Sequence, residues 1–163
     1  KIKGFAIMIL PLIISTIFTL NLPFVIANDA TKVMNISGGY TNVIRPGQNT
    51  IAVYLDTIKN SSNKDIDLIA ASSPFAKNIE IHSMQIVDNV MKMKKEEKIT
   101  IPAKSNVSLG KKNPNNYHLM VFDVSPQITE KNRFTINLSF SNGEKLQTEI
   151  SVKKHTEIRH NHH

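Results

Sequence analysis

The stretch Asn78-Ile-Glu-Ile-His-Ser-Met-Gln-Ile86, followed after Val87 by Asp88-Asn89 and then by Val90-Met-Lys-Met93, decides the fold. Apolar and polar side chains alternate with a period of two, the signature of a half-buried strand. The alternation stops at an Asp-Asn pair suited to the positive φ angles of a two-residue hairpin turn. With Asp88-Asn89 as that turn, Val87 falls opposite Val90, Ile86 opposite Met91 and Met84 opposite Met93. Residues i and i+2 of a strand share a face, so one face of this hairpin is expected to carry His82, Met84, Met91 and Met93.

The same grammar runs outward in both directions. Ile51–Ile58 is a β-rich run closed by the polar turn Asn60-Ser-Ser-Asn-Lys64, and Asp65–Ala70 follows until Ser72-Ser-Pro74 breaks it. Further runs are Ile99–Ile101, Val107–Leu109, Tyr117–Phe122, Phe134–Phe140 and Leu146–Val152, the last two joined by the tight turn Ser141-Asn-Gly143. No window holds a helical stripe of ten residues. Eight or nine short strands with turn signals between them predict an all-β, single-domain Greek-key sandwich or barrel.

Residues 1–27 are expected to lie outside that fold. Lys1-Ile-Lys3 is followed by an uncharged stretch to Ala27, almost wholly apolar from Phe5 to Leu20, with Val25 and Ala27 at the −3 and −1 places of a signal-peptidase site. This is the pattern of a cleaved secretory signal, and Pro11 with the small-residue exit favours removal over retention as a membrane anchor. The expected organisation is therefore a signal at 1–27, a β domain at 28–153 and a flexible histidine-rich tail at 154–163, with a periplasmic location and no membrane contact after cleavage.

Losing Lys1 and Lys3 lowers the formal charge from +7 to +5. The remaining basic residues are scattered, and their densest run, Lys92–Lys98, is interrupted by Glu96 and Glu97. No arginine stripe or basic–aromatic interleaving is present, which argues against nucleic acid as a partner. The chain contains no cysteine, excluding a disulfide framework, a thiolate zinc or iron–sulfur site, a cysteine nucleophile and a blue-copper centre.

The chemistry rests on two histidines. Between the signal and the tail only His82 and His118 occur, and each has a methionine two residues on, in His82-Ser-Met84 and His118-Leu-Met120. With so few methionines, that double coincidence arises by chance roughly 1 time in 700. Taken singly, a methionine on a strand face is usually core filler, and Met34 in particular reads that way. As a set, paired imidazoles and thioethers suit copper: thioether sulfur is soft and favours Cu(I), and imidazole binds copper generally. The tail His155-Thr-Glu-Ile-Arg-His160-Asn-His162-His163 reads first as a solvated end, with Cu(II) capture by its imidazoles as the alternative.

These residues resemble a known family, the periplasmic copper chaperones called PCu(A)C. The similarity runs from about Ile36 to Val152 and rests on Arg45-Pro-Gly-Gln48, Ala71-Ser-Ser-Pro74, Ile79–Met84, Val90–Met93, Ile101-Pro-Ala103 and Tyr117-His-Leu-Met120. The family's motif is a histidine, ten residues, a methionine, about twenty-one residues and His-x-Met. Ten residues separate His82 from Met93 here, and His118-Leu-Met120 completes the motif. The second gap holds 24 residues, three more than usual, with the excess in polar Gly110–Asn116. Tyr40 stands where the family often has tryptophan.

The resemblance implies a cupredoxin-like β-sandwich binding Cu(I) through His82, Met93, His118 and Met120; Met84 and Met91, on the same expected face of the hairpin, are candidates for transient or auxiliary ligands. It also implies delivery of copper to the CuA centre in subunit II of cytochrome c oxidase, often alongside Sco-type proteins, by ligand exchange rather than enzyme catalysis. The alternatives are a periplasmic copper buffer without a dedicated acceptor, an electron carrier, which the missing thiolate opposes, and a structural sandwich in which the His/Met pattern is accidental.

Overall fold

The computed structural model describes residues 32–110, 115–130 and 133–153, all within one compact unit, Thr31–His163. The expected signal at 1–27 and the tail at 154–163 lie outside the described residues. The described residues form ten strands: β1 (Met34–Thr41), β2 (Thr50–Asn60), β3 (Ile66–Ser72), β4 (Ala76–Val87), β5 (Val90–Glu96), β6 (Ile99–Ile101), β7 (Asn106–Leu109), β8 (His118–Val124), β9 (Arg133–Phe140) and β10 (Lys145–Val152). A single helical turn, α1 (Gln127–Glu130), joins β8 to β9. Among the described residues no helix is long and apolar enough to cross a membrane.

Nine of these strands are the runs read from the sequence. The tenth, β1, corrects the expectation of eight or nine. Its centre is Gly38-Gly39, which offers no side-chain alternation, and Gly38 takes a φ of +63°. Gly39 lies so close to β10 that a Cβ there would stand 2.5 Å from Ile150 Cδ1 and 2.8 Å from the Glu149 carbonyl oxygen. β1 is thereby the seam of the fold, antiparallel to β2 on one side and parallel to β10 on the other.

The hydrogen-bonded order is β5-β4-β8-β2-β1-β10-β9-β3-β6, with β7 also paired to β2. The sheet folds over on itself, so that β3 comes against β4 and β6 against β2. Between the layers lie Leu55, Ile58, Leu68, Ile101, Leu119, Val121, Ile136, Leu138 and Ile150, each fully buried. Met34 joins them at 1% exposure, the core filler expected of it. The result is a nearly all-β, cupredoxin-like sandwich.

Loop ends are fixed by specific polar groups. Buried Asn60 donates from Nδ2 to the carbonyls of Lys64 and Ile101, and its Oδ1 accepts from the Ser62 amide and hydroxyl. This holds the β2–β3 turn against β6. At the other end of the β4–β5 hairpin, Asp88 and Asn89 have φ angles of +54° and +60°, the type I′ geometry that matches strand twist.

Candidate metal centre

The hairpin register is Val87 to Val90, Ile86 to Met91, Met84 to Met93 and His82 to Lys95. On the other side of β4 lies β8, with His82 directly opposite His118 and Glu80 opposite Met120. Core-facing Ile81 and Ser83 on β4, and Leu119 and Val121 on β8, are buried. The alternate residues His82, Met84, His118 and Met120 therefore share the outer face of the sheet. β8 continues onto β2, where Ala52 opposes Met120 and Tyr54 brings its ring centre to 6.3 Å from that of His118. Tyr40 of β1 packs beyond it, 5.2 Å from Tyr54.

The two imidazoles are held by hydrogen bonds that leave one nitrogen of each ring bare. His82 Nε2–H donates to Glu80 Oε2 at 2.9 Å, and Glu80 is itself gripped by Lys95 Nζ at 2.7 Å. The bond from His82, then that from Lys95, holds the Glu80 carboxyl down at about 2, and an ionised carboxylate can only accept. So Nε2 carries the hydrogen, and in the neutral ring Nδ1 has a free lone pair. At His118 the arrangement is mirrored: Nδ1–H donates to the Asn116 carbonyl at 3.1 Å, leaving Nε2 bare. Burial pushes the His118 imidazole below its ordinary value, opposed by the bond to Asn116 and aided by neighbouring His82.

His82 Nδ1 and His118 Nε2 are the buried side-chain nitrogen and oxygen atoms without a hydrogen-bond partner among the described residues. Buried polar atoms are nearly always satisfied, so two orphans on facing residues call for an explanation. Their ring centres are 5.9 Å apart with planes inclined at 59°. With metal–nitrogen bonds of about 2.0 Å, two imidazoles sharing an ion in line would have centres about 6.4 Å apart. The observed spacing of the ring centres is of that order.

The thioethers are graded by position. Met120 is half-buried beside His118, and Met84 half-buried beside His82. Met93 and Met91 lie on the edge strand β5 and are 55% and 61% exposed. Met93 is separated from His118 by the whole of β4, whereas Met84 is on the strand adjoining it. Among the described residues no three His, Cys, Asp or Glu side chains are grouped to hold a metal, and the side chains that share the outer face with the two imidazoles include the thioethers of Met84 and Met120.

Glu80, Lys95 and Asn116 were not singled out from the sequence. Glu80 and Lys95 had a signal, since one lies two residues from His82 and the other opposite it in the hairpin register. Asn116 acts through its backbone and left none. The polar excess at Gly110–Asn116 falls partly on residues 111–114, outside the described residues. Its far end returns to the site, where the Met84 amide donates to the Asn115 carbonyl at 3.1 Å.

Fold and outer face together define a cupredoxin-like sandwich with a histidine–methionine surface and no thiolate. The LpqE-like lipoprotein family profile matches residues 34–152, and the chain belongs to that family. No curated protein matches it. Among solved structures it is similar to the copper-bound PCuAC domain from PmoF2, with 17% identity over 75% of this chain and 93% of that one and a TM-score of 0.59. It is also similar to apo-DR1885 from Deinococcus radiodurans, with 22% identity over 92% and 99% and a TM-score of 0.54. The Cu(I) form of DR1885 gives 23% over 78% and 85%, with a TM-score of 0.53. At these identities the likeness establishes a shared PCuAC-type fold.

Proposed function

We propose that this chain is an exported Cu(I) carrier that holds its cargo between His82 Nδ1 and His118 Nε2, with Met120 and Met93 supplying sulfur. The observation that carries the reading is the pair of orphaned, buried ring nitrogens on facing residues of β4 and β8, flanked on the same face by thioethers. Neutral soft ligands favour Cu(I) over harder ions. The likeness to copper-bound and Cu(I)-bound PCuAC structures supports the same cargo.

Release proceeds by ligand exchange. Thioethers are neutral and do not titrate, so a leaving thioether takes up no proton and the copper keeps its oxidation state; any proton released comes from the acceptor's own ligand as it binds. The acceptor proposed is the CuA centre in subunit II of cytochrome c oxidase, with Sco-type proteins acting alongside, in the periplasm. X-ray absorption of the Cu(I)-loaded chain should show both nitrogen and sulfur neighbours. A spectrum with only nitrogen or oxygen would remove the site. Transfer to an apo CuA domain should occur with the intact chain and fail with His118→Ala, and failure of the intact chain would leave a copper buffer.

A further inference from the structure

The β4–β5 hairpin carries more sulfur than a single site with two imidazoles uses. On its outer face Met84 stands opposite Met93, and Met91, two residues from Met93, stands opposite Ile86. Facing residues of an antiparallel pair have Cβ atoms about 4.5–5.5 Å apart and diagonal neighbours about 7–8 Å. Three thioethers on flexible, unbranched side chains are thus within reach of one ion. The inner face of the same hairpin presents Ser83, Gln85, Lys92 and Lys94 instead, so the methionines are confined to the face that bears the histidines.

Core packing does not account for this placement. Met91 and Met93 are more than half exposed, as are Ile86 and Val90, and Val87 at the same turn is 39% exposed, whereas the remaining large exposed apolar residues among those described are only Val43 and Ile69. On the outer-face positions of β4 and β5 the one carboxylate is Glu80, and it is engaged by His82 and Lys95. The Met84, Met91 and Met93 side chains on that face offer a soft ion three sulfurs.

We infer that Met84, Met91 and Met93 form a thioether-only loading station for a soft monovalent ion, Cu(I) or Ag(I), at the outer edge of the sheet. The ion lands on the exposed edge and moves inward as one Met–metal bond breaks and a bond to a bare imidazole nitrogen forms. The metal stays monovalent, and the bare nitrogens carry no proton to displace. This rests on the proposed carrier function but needs neither histidine for its first step.

The test is silver titration of the His82→Ala/His118→Ala chain carrying 13C-labelled methionine methyls. The Met84, Met91 and Met93 methyl signals should shift together and saturate at one equivalent, while buried Met34 stays still. A Met91 signal that does not move, or shifts without saturation, overturns the station. Should the double variant not fold, Met91→Leu in the intact chain decides. Its rate of Cu(I) uptake from a chelator complex should fall roughly tenfold, as for loss of the ion's first contact, with Gln85→Thr on the inner face as control. An unchanged rate overturns the station. Silver shifts in the histidine-less chain, combined with no nitrogen neighbours in the loaded intact chain, would sink the carrier site and leave the station standing. The reverse pattern would do the opposite.

Discussion

Glu80 fixes which nitrogen of His82 carries the hydrogen, and Glu80→Ala removes that control. In the parent chain the carboxylate fixes the hydrogen on Nε2 through a 2.9 Å bond and is itself anchored by Lys95 at 2.7 Å. Without it, the His82 ring is free to take either tautomer and to turn, so the free lone pair no longer has one position opposite His118. Losing such a partner of a metal-binding histidine typically costs 10- to 100-fold in affinity, and a Cu(I) loss in that range is expected. Glu80→Gln should recover part of it, because an amide oxygen still accepts from Nε2–H although the ion pair with Lys95 is lost. The carboxyl titrates at about 2, so it remains ionised over roughly pH 4 to 8. The affinity gap between Glu80→Ala and the parent should therefore persist across that range. Competition against a Cu(I) chelator measures affinity, and long-range 1H–15N correlation of the His82 ring reads the tautomer directly. Unchanged affinity together with an undisturbed Nε2–H tautomer in Glu80→Ala would refute the reasoning.

Leu119 is fully buried between the two outward-facing residues His118 and Met120; Leu119→Ala should cost about 2–5 kcal/mol of stability, read as a lower urea midpoint with little change in slope. Gly39→Ala would drive a Cβ into Ile150 and the Glu149 carbonyl, and a loss of about 1–3 kcal/mol is expected in the same assay; a neutral result would mean that the β1–β10 seam is looser than described. The metal-free chain should also lose stability as the pH falls through 6.5. Burial keeps the folded His118 pKa below that ordinary value, so between the two the unfolded chain binds more protons and stability rises with pH. A His118→Phe chain should show a flatter pH dependence over that window in thermal melts.

The hairpin was fully legible because its information is local. Asp88-Asn89 fixes the turn, the turn fixes the register, and the pairing of Met84 with Met93 follows residue by residue. The same register already placed Lys95 opposite His82, and the period of two already placed Glu80 on its face; both were overlooked as partners of the imidazole rather than hidden. β1 was hidden, because a strand centred on two glycines carries no alternation, and its role as the seam depends on close approach to β10. The adjacency of β8 to β4 was also not a local property. Thirty residues and three strands separate them, and only the family resemblance brought His118 toward His82 before the structure did. The hydrogen bond from His118 to the Asn116 carbonyl depends on the path of the backbone, which no side-chain pattern reports.

The sheet order gives the proposed carrier a physical basis for both holding and releasing its ion. β4 and β8 are interior strands, each hydrogen-bonded on two sides, and their inward residues are locked into the core. The imidazoles they bear are therefore presented at a fixed spacing, each with one nitrogen already committed. β5 has a neighbour on one side only, and segments with exposed hydrogen bonds and few buried contacts are the first to open locally. The thioethers of Met91 and Met93 ride on that looser element. A site built wholly on interior strands would hold copper but give an incoming ligand no side of approach, and one built wholly on the edge strand would lack a fixed geometry. In the proposed carrier, nitrogens on the interior strands β4 and β8 and sulfurs on the edge strand β5 allow bonds to be exchanged one at a time from the edge. The absence of cysteine belongs to the same logic: a thiolate at the edge would bind more tightly and be open to oxidation, whereas a thioether can let go.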